Sequence, residues 1–171
     1  GWPLPASSAQ GPSKEEQRAL LAALSTTRID WGVFGQHLAF DASVSYVRRR
    51  LFLNSAWEIL LLNWLPGQAT AIHDHGDSWG ATLVLMGELV ERQFRWHGSG
   101  VPMELRDENP LGTRQVTVET QDTIHTVANR GAVPAVSLHL YSPPLTFLHA
   151  YDLENGGQHR IEPSESRFYT R

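Results

Sequence analysis

Two histidines stand two residues apart inside an apolar, strand-like run: His73 and His75, within GQATAIHDHGDSWGATLVLMG from Gly67 to Gly87. Side chains alternate on a strand, so residues i and i+2 share a face while Asp74 points the other way. Two imidazoles on one face can hold a divalent metal ion together, and two ligands seldom suffice, so a further nitrogen or oxygen donor is expected elsewhere. The competing reading of a bare H-x-H is a pair of hydrogen-bonded core or surface histidines. The chain contains no cysteine, which removes disulfides, zinc-thiolate sites, iron–sulfur clusters and a catalytic thiol together. Any metal must then sit on histidine, carboxylate or water.

A chain of 171 residues is long enough for one domain with a sizeable core and short for two. The net charge of −4, with mixed signs, gives no basic footprint for nucleic acid, and no apolar run reaches the roughly 18 residues that span a membrane. Neither partner class is expected. The absence of cysteine fits a reducing cytoplasm, and GWPLPASSAQGPS lacks the cationic start and long apolar centre of a signal peptide. Residues 1–12, rich in Pro, Ser, Gly and Ala, read as a flexible N-terminal arm. Residues 13–171 read as a single domain with a helical segment at 13–40.

Within that segment, Ser13 and Glu16 match a capping box, and Ala19, Leu20, Ala23 and Leu24 form an apolar stripe. Asp30 to Phe40 reads as a second short helix or a packed loop. From Tyr46 onward, short apolar runs punctuated by turn residues predict a mainly β sandwich or barrel of about seven to nine strands. The candidate strands are 46–53, 57–65, 70–75, 81–86, 88–96, 115–120, 122–127, 135–141 and 148–152. His97 to Gly112 reads as a Gly/Pro-rich loop. His37, His97 and His159 are expected at the surface, and His149 carries no assigned role.

Gly67, His73, His75 and Gly87 stand in the spacing G-x5-H-x-H-x11-G, which resembles the first signature of the cupin superfamily. That resemblance implies a small β-barrel of the double-stranded β-helix, or jelly-roll, type. His125 and Asn129 stand in the relation of the family's second signature, which Thr120 and Asp122 otherwise degrade by replacing Pro and Gly. Where the first signature usually carries a glutamate ligand this chain has Gly80, so the implied ligand set is His73, His75 and His125. Three neutral ligands leave up to three positions of an octahedral ion open, which suits a non-haem iron(II), Fe2+, that holds a chelating substrate and dioxygen together.

Farther on, Ser137, His139 and Tyr141 fall at i, i+2 and i+4 of PAVSLHLYSPP, on one strand face. A hydroxyl can bond one imidazole nitrogen while the other nitrogen bonds the phenol, which makes a relay ending at Tyr141. A polar ladder without a role is the plainer reading. Together with IHDH, the SLHLYSPP run closely resembles the cysteine dioxygenase family over roughly Tyr46 to Asp152. The resemblance implies oxidation of cysteine to cysteine sulfinic acid with both atoms of dioxygen. It also implies that Arg48, in Tyr46-Val47-Arg48, grips the substrate carboxylate, a bidentate, charge-assisted contact that guanidinium geometry favours. Alternation puts Arg48 and Arg50 on one face and turns Arg49 to solvent. Trp79 is the expected pocket wall, and Trp64 and Phe94 are expected to fill the barrel or line the pocket. Animal members crosslink a cysteine to the active-site tyrosine, and Gly80 stands at the matching position, so no thioether can form here; the resemblance is to the bacterial type. The expected partner is a small thiol, with the chain a monomer or weak homo-oligomer. Two alternatives stay open: 3-mercaptopropionate or another small thiol acid as substrate, and a non-catalytic metal- or metabolite-binding cupin.

Overall fold

The computed structural model describes residues 11–163. Helix α1 (Lys14–Thr26) opens on the expected capping box: Ser13 Oγ accepts from Glu16 N at 3.3 Å, and Glu16 Oε2 accepts from Ser13 N at 2.7 Å. Its stripe buries Leu20 and Leu24. Helix α2 (Trp31–Phe34) is a single turn, capped by Asp30 and continued by a 3₁₀ turn over Gly35–His37. Of the stretch read as an arm over 1–12, the structure describes two residues. Gly11 and Pro12 are buried, and a Cβ built on Gly11 would lie 2.9 Å from Ser142 O, so glycine lets the chain lie against the barrel there. Residues 1–10 lie outside the described residues.

Eleven strands follow among the described residues: β1 (Val47–Leu53), β2 (Glu58–Trp64), β3 (Ile72–His73), β4 (Trp79–Met86), β5 (Glu88–Arg95), β6 (Glu104–Gly112), β7 (Val116–Glu119), β8 (Ile124–Ala128), β9 (Ala135–Ser142), β10 (Leu148–Tyr151) and β11 (Gln158–Ile161). They form two antiparallel sheets, a five-stranded one ordered β1-β2-β9-β4-β7 and a six-stranded one ordered β11-β10-β3-β8-β5-β6. Nine of the strands answer to the runs read from the sequence. The others, β6 and β11, lie at the two edges of the six-stranded sheet. In β6 the seven residues Glu104–Pro110 are all exposed, so no buried face imposes the alternation by which strands are recognised. Pro110 is tolerated because an edge strand can spare a backbone donor.

Packing gives the two faces of the five-stranded sheet different neighbours. Leu61, Trp79, Ala81, Leu83, Leu138 and Leu140 point outward and pack under Leu20 and Leu24 of α1. Leu60, Leu62, Trp64, Val84 and Tyr141 point inward and meet Leu89, Leu111 and Val127 of the six-stranded sheet. The functional side chains hang in this inner layer.

Candidate metal centre and polar relay

The six-stranded sheet supplies the imidazoles. His73 of β3 is the cross-strand partner of His125 on β8, and His75 lies just beyond the end of β3. The ring centroids are 5.0 Å apart for His73 and His75, 4.8 Å for His73 and His125, and 4.9 Å for His75 and His125. One nitrogen of each lies within 4.8 Å of the others. The fold thus brings His125 beside the His73–His75 pair. Asn129, read as its motif companion, is a loop tie instead: its amide donates to Trp64 O at 3.2 Å and Val133 O at 2.9 Å.

Partners assign the tautomers. His73 Nδ1 lies 2.9 Å from Ala71 O, which can only accept. His125 Nδ1 lies 2.7 Å from Glu91 Oε1. Both imidazoles therefore carry the proton on Nδ1 and keep the Nε2 lone pair for the cluster, the state in which a histidine binds a metal. Burial pushes His73 down to about 3 and drives His75 well below the usual imidazole range. Neutral ligands result. Burial raises the Glu91 carboxyl, but hydrogen bonds from His125, Gln93 and Thr117 outweigh it and hold the group below its usual range. His75 Nε2 and His125 Nε2 are 3.3 Å apart, and the buried Nδ1 of His75 has no hydrogen-bond partner among the described residues. The donor set fits a divalent metal, with Glu91 as the carboxylate that orients His125.

Asp74 faces away, as alternation requires. It accepts from His149 N at 2.8 Å, His149 Nδ1 at 2.9 Å, Tyr151 Oη at 2.8 Å and Gly76 N at 3.0 Å, tying the His-x-His segment to β10. His149 thus has a structural role the sequence did not disclose. Phe94 lies on this outer side as well, in a recess beside Asp74, Trp96 and Tyr151.

The five-stranded sheet supplies the relay. Ser137, His139 and Tyr141 of β9 share the inner face, with His139 Nε2 2.8 Å from Ser137 Oγ and His139 Nδ1 3.4 Å from Tyr141 Oη. The phenol ring stacks on His75, with centroids 5.4 Å apart and planes at 28°, which joins relay to cluster. Burial, helped by Glu119, holds the Tyr141 phenol well above its usual range, so it stays protonated. Burial likewise pushes His139 down to about 3.

Arg48 is buried, Arg49 is exposed and Arg50 is half-buried, as alternation requires. Glu58 Oε1 accepts from Arg48 Nη2 at 2.8 Å and from Arg50 Nε at 2.9 Å. Glu58 is the cross-strand neighbour of Tyr141, so the guanidinium is held next to the relay. Tyr46 stacks on Trp64 at 4.8 Å inside the barrel, and Trp64 Nε1 donates to Ser137 Oγ at 2.9 Å. Trp79 is the correction. It points to the outer face and meets Trp57 edge-on at 6.5 Å in the cluster under α1. Its neighbour Gly80 takes the inward position, so Trp79 lines no pocket with the relay.

Sequence reasoning missed Glu58, Thr82, Glu91 and Glu119, all buried. Their signal was present but weak: each is a polar residue at an inward register position of its strand, which only the pairing scheme identifies.

Fold and centre together define a cupin: two antiparallel sheets closed around an inner layer, three imidazoles converging from one sheet and a polar relay facing them from the other. Residues 12–154 match the family model of cysteine dioxygenase type I. The chain belongs to the cysteine dioxygenase family, and by that membership it is a metal-dependent thiol dioxygenase. The cysteine dioxygenase type 1 of Rattus norvegicus is 30% identical over 150 residues, covering 86% of this chain and 74% of the relative. That of Homo sapiens is 29% identical over the same span. Among solved structures, a double-stranded β-helix protein from Klebsiella pneumoniae matches with a TM-score of 0.55 at 17% identity, covering 80% of this chain and 99% of the other. A Thermus thermophilus protein, TT1209, matches with a TM-score of 0.54 at 23% identity, over 64% of this chain and 93% of the other. These two speak for the fold alone.

Proposed function

We propose that the protein binds iron(II) through His73, His75 and His125 and oxidises L-cysteine with dioxygen to cysteine sulfinic acid. The observation that carries this reading is the stacking of Tyr141 on His75, which sets a protonated phenol beside the candidate centre. Bound there, the metal would supply the open coordination positions at which a thiolate and dioxygen can meet. The rest is the work of this chain's own side chains. Arg48, steadied by Glu58, is the carboxylate clamp, and Tyr46 beside it completes that wall. Tyr141 donates a hydrogen bond at the reacting sulfur and oxygen atoms, and His139 with Ser137 holds the phenol in place.

Cysteine and 3-mercaptopropionate both carry a carboxylate and differ in the amine, so the clamp alone leaves either substrate open. The preference for cysteine rests on the Tyr46-Val47-Arg48 segment, which resembles that of the family's cysteine-oxidising members. The test is oxygen uptake by the iron-loaded protein with the two thiols side by side and sulfinate measured in each. One sulfinate per dioxygen with cysteine, at the higher kcat/KM, is expected. A higher kcat/KM for 3-mercaptopropionate would reassign the substrate, and no product with either thiol would leave a binding cupin.

A further inference from the structure

Behind the relay lies a second chain of polar groups, whose far end, the Glu119 carboxyl, comes within 4.8 Å of a His125 nitrogen and of the Glu91 carboxyl. Thr82 on β4 is the cross-strand partner of His139, and Gly80 pairs with both Tyr141 and Glu119. Thr82 Oγ1 donates to Glu119 Oε1 at 2.7 Å and lies 2.8 Å from His139 Nδ1. Thr82 and Glu119 are fully buried. A Cβ built on Gly80 would meet Glu119 Oε2 at 2.4 Å and Tyr141 Cε1 at 2.9 Å, so the carboxyl fills the space beside the phenol that glycine leaves.

We propose that Glu119, acting through Thr82, holds His139 as the Nδ1–H tautomer and thereby leaves the Tyr141 hydroxyl proton uncommitted to the relay. This deepens the proposed function, because it rests on Tyr141 acting as the hydrogen-bond donor there. Directions follow from the ends of the chain. Trp64 Nε1 can only donate, so Ser137 Oγ receives its proton. Glu119 Oε1 accepts the one proton of Thr82, so the Thr82 oxygen must accept from His139 Nδ1–H. His139 Nε2 is then bare and accepts from Ser137. Each hydroxyl gives once and receives once.

The opposite tautomer fails at Ser137. There the oxygen would receive from both Trp64 and His139, and its own buried proton would have no partner among the described residues, which costs roughly 1–3 kcal/mol. With the proton on Nδ1, His139 faces the Tyr141 oxygen with a donor at 3.4 Å. The phenol can only accept from it, and its O–H remains for a group outside the relay. Glu119 is a positioning residue: its hydrogen bond is to Thr82, and it works by fixing the direction of a hydrogen-bond chain.

The test is the ¹⁵N shift pattern of His139 in full-length protein loaded with diamagnetic zinc(II), which reads the tautomer without turnover and so is independent of the proposed reaction. Wild-type protein is expected to show the Nδ1–H pattern. Glu119→Gln keeps an oxygen that accepts from Thr82 and should preserve it. Glu119→Met removes the acceptor, and Thr82→Val, close in volume, severs the same link; each should lower the ratio of Nδ1–H to Nε2–H about tenfold. In iron-loaded protein, Glu119→Met should lower kcat about tenfold with KM for the thiol unchanged, and Glu119→Gln should restore it. A wild-type Nε2–H pattern overturns the proposal, and so does an unchanged ratio in the methionine and valine variants.

Discussion

Glu58 is the residue that makes the Arg48 clamp testable. Two guanidiniums of β1 converge on one of its oxygens, and Leu145 N donates to the other at 3.3 Å. Replacing Arg48 with glutamine leaves the carboxylate with Arg50 and the Leu145 amide, so the fold should lose about 1–3 kcal/mol rather than collapse. In activity, the Michaelis constant for cysteine should rise roughly ten- to a hundredfold. Cysteamine, which has no carboxylate, should change far less. Steady-state kinetics with the two thiols decide it, and equal losses would move the clamp to Arg50. Tyr141→Phe is the complementary change. Only the hydroxyl is lost, so stability and metal content should hold while sulfinate formed per dioxygen falls, with a rate loss of about 10- to 1,000-fold. Sulfinate assays against oxygen uptake measure both, and full coupling would return Tyr141 to a structural polar ladder.

At the scale of strands, β3 and β8 carry the imidazoles, and β9, backed by β4, carries the relay. β3 is only two residues long, held by its pairing with β8 and β10 and by Asp74 on its outer side. Removing His125 takes away one imidazole donor and also strands the Glu91 carboxylate. His125→Ala should therefore retain well under half of the wild-type metal after identical loading, read by metal analysis. Undiminished metal would mean that His73 and His75 need no third donor from β8. On β4 the limiting residue is Gly80. An alanine methyl there meets the Glu119 carboxyl and the Tyr141 ring, an overpacking that costs about 1–3 kcal/mol. Denaturant melts should show this loss, and shortening Glu119 to alanine in the same chain should recover part of it. An unshifted Gly80→Ala midpoint would show that the sheet yields freely there.

For the molecule as a whole, the inner layer sets the pH response. His73, His75 and His139 are held neutral by burial, while the unfolded chain protonates them near 6.5. The unfolded state binds more protons below that pH, so their contribution is complete above about 6.5 and is lost as pH falls toward 3. Glu119 acts in the opposite sense. Burial pushes it up to about 7, so its contribution is present at low pH and fades as pH rises through 7. Three groups against one make the metal-free protein less stable at pH 5 than at pH 7.5. Urea midpoints at the two pH values measure it. Metal that binds only the folded chain should raise both midpoints by mass action, since burial keeps His73 and His75 free of protons at both pH values.

The sequence by itself determined which side chains share a face. His73 with His75, Arg48 with Arg50, and Ser137 with His139 and Tyr141 all follow from the period of two, a property of neighbouring residues, and Ser13 with Glu16 follows from the local geometry of a helix start. Even Asp74 turning outward is legible that way. Tertiary structure decided what each face meets. That Glu58 holds Arg48, that Glu91 orients His125, and that Thr82 and Glu119 stand behind His139 depend on β2, β4, β5 and β7 being laid beside their partners in one register, and residues far apart in the chain carry no local trace of it. Trp79 shows the limit most plainly. Alternation puts it opposite Gly80, but only the packing of α1 on one face of the sheet makes that face a helix contact and leaves the other for chemistry.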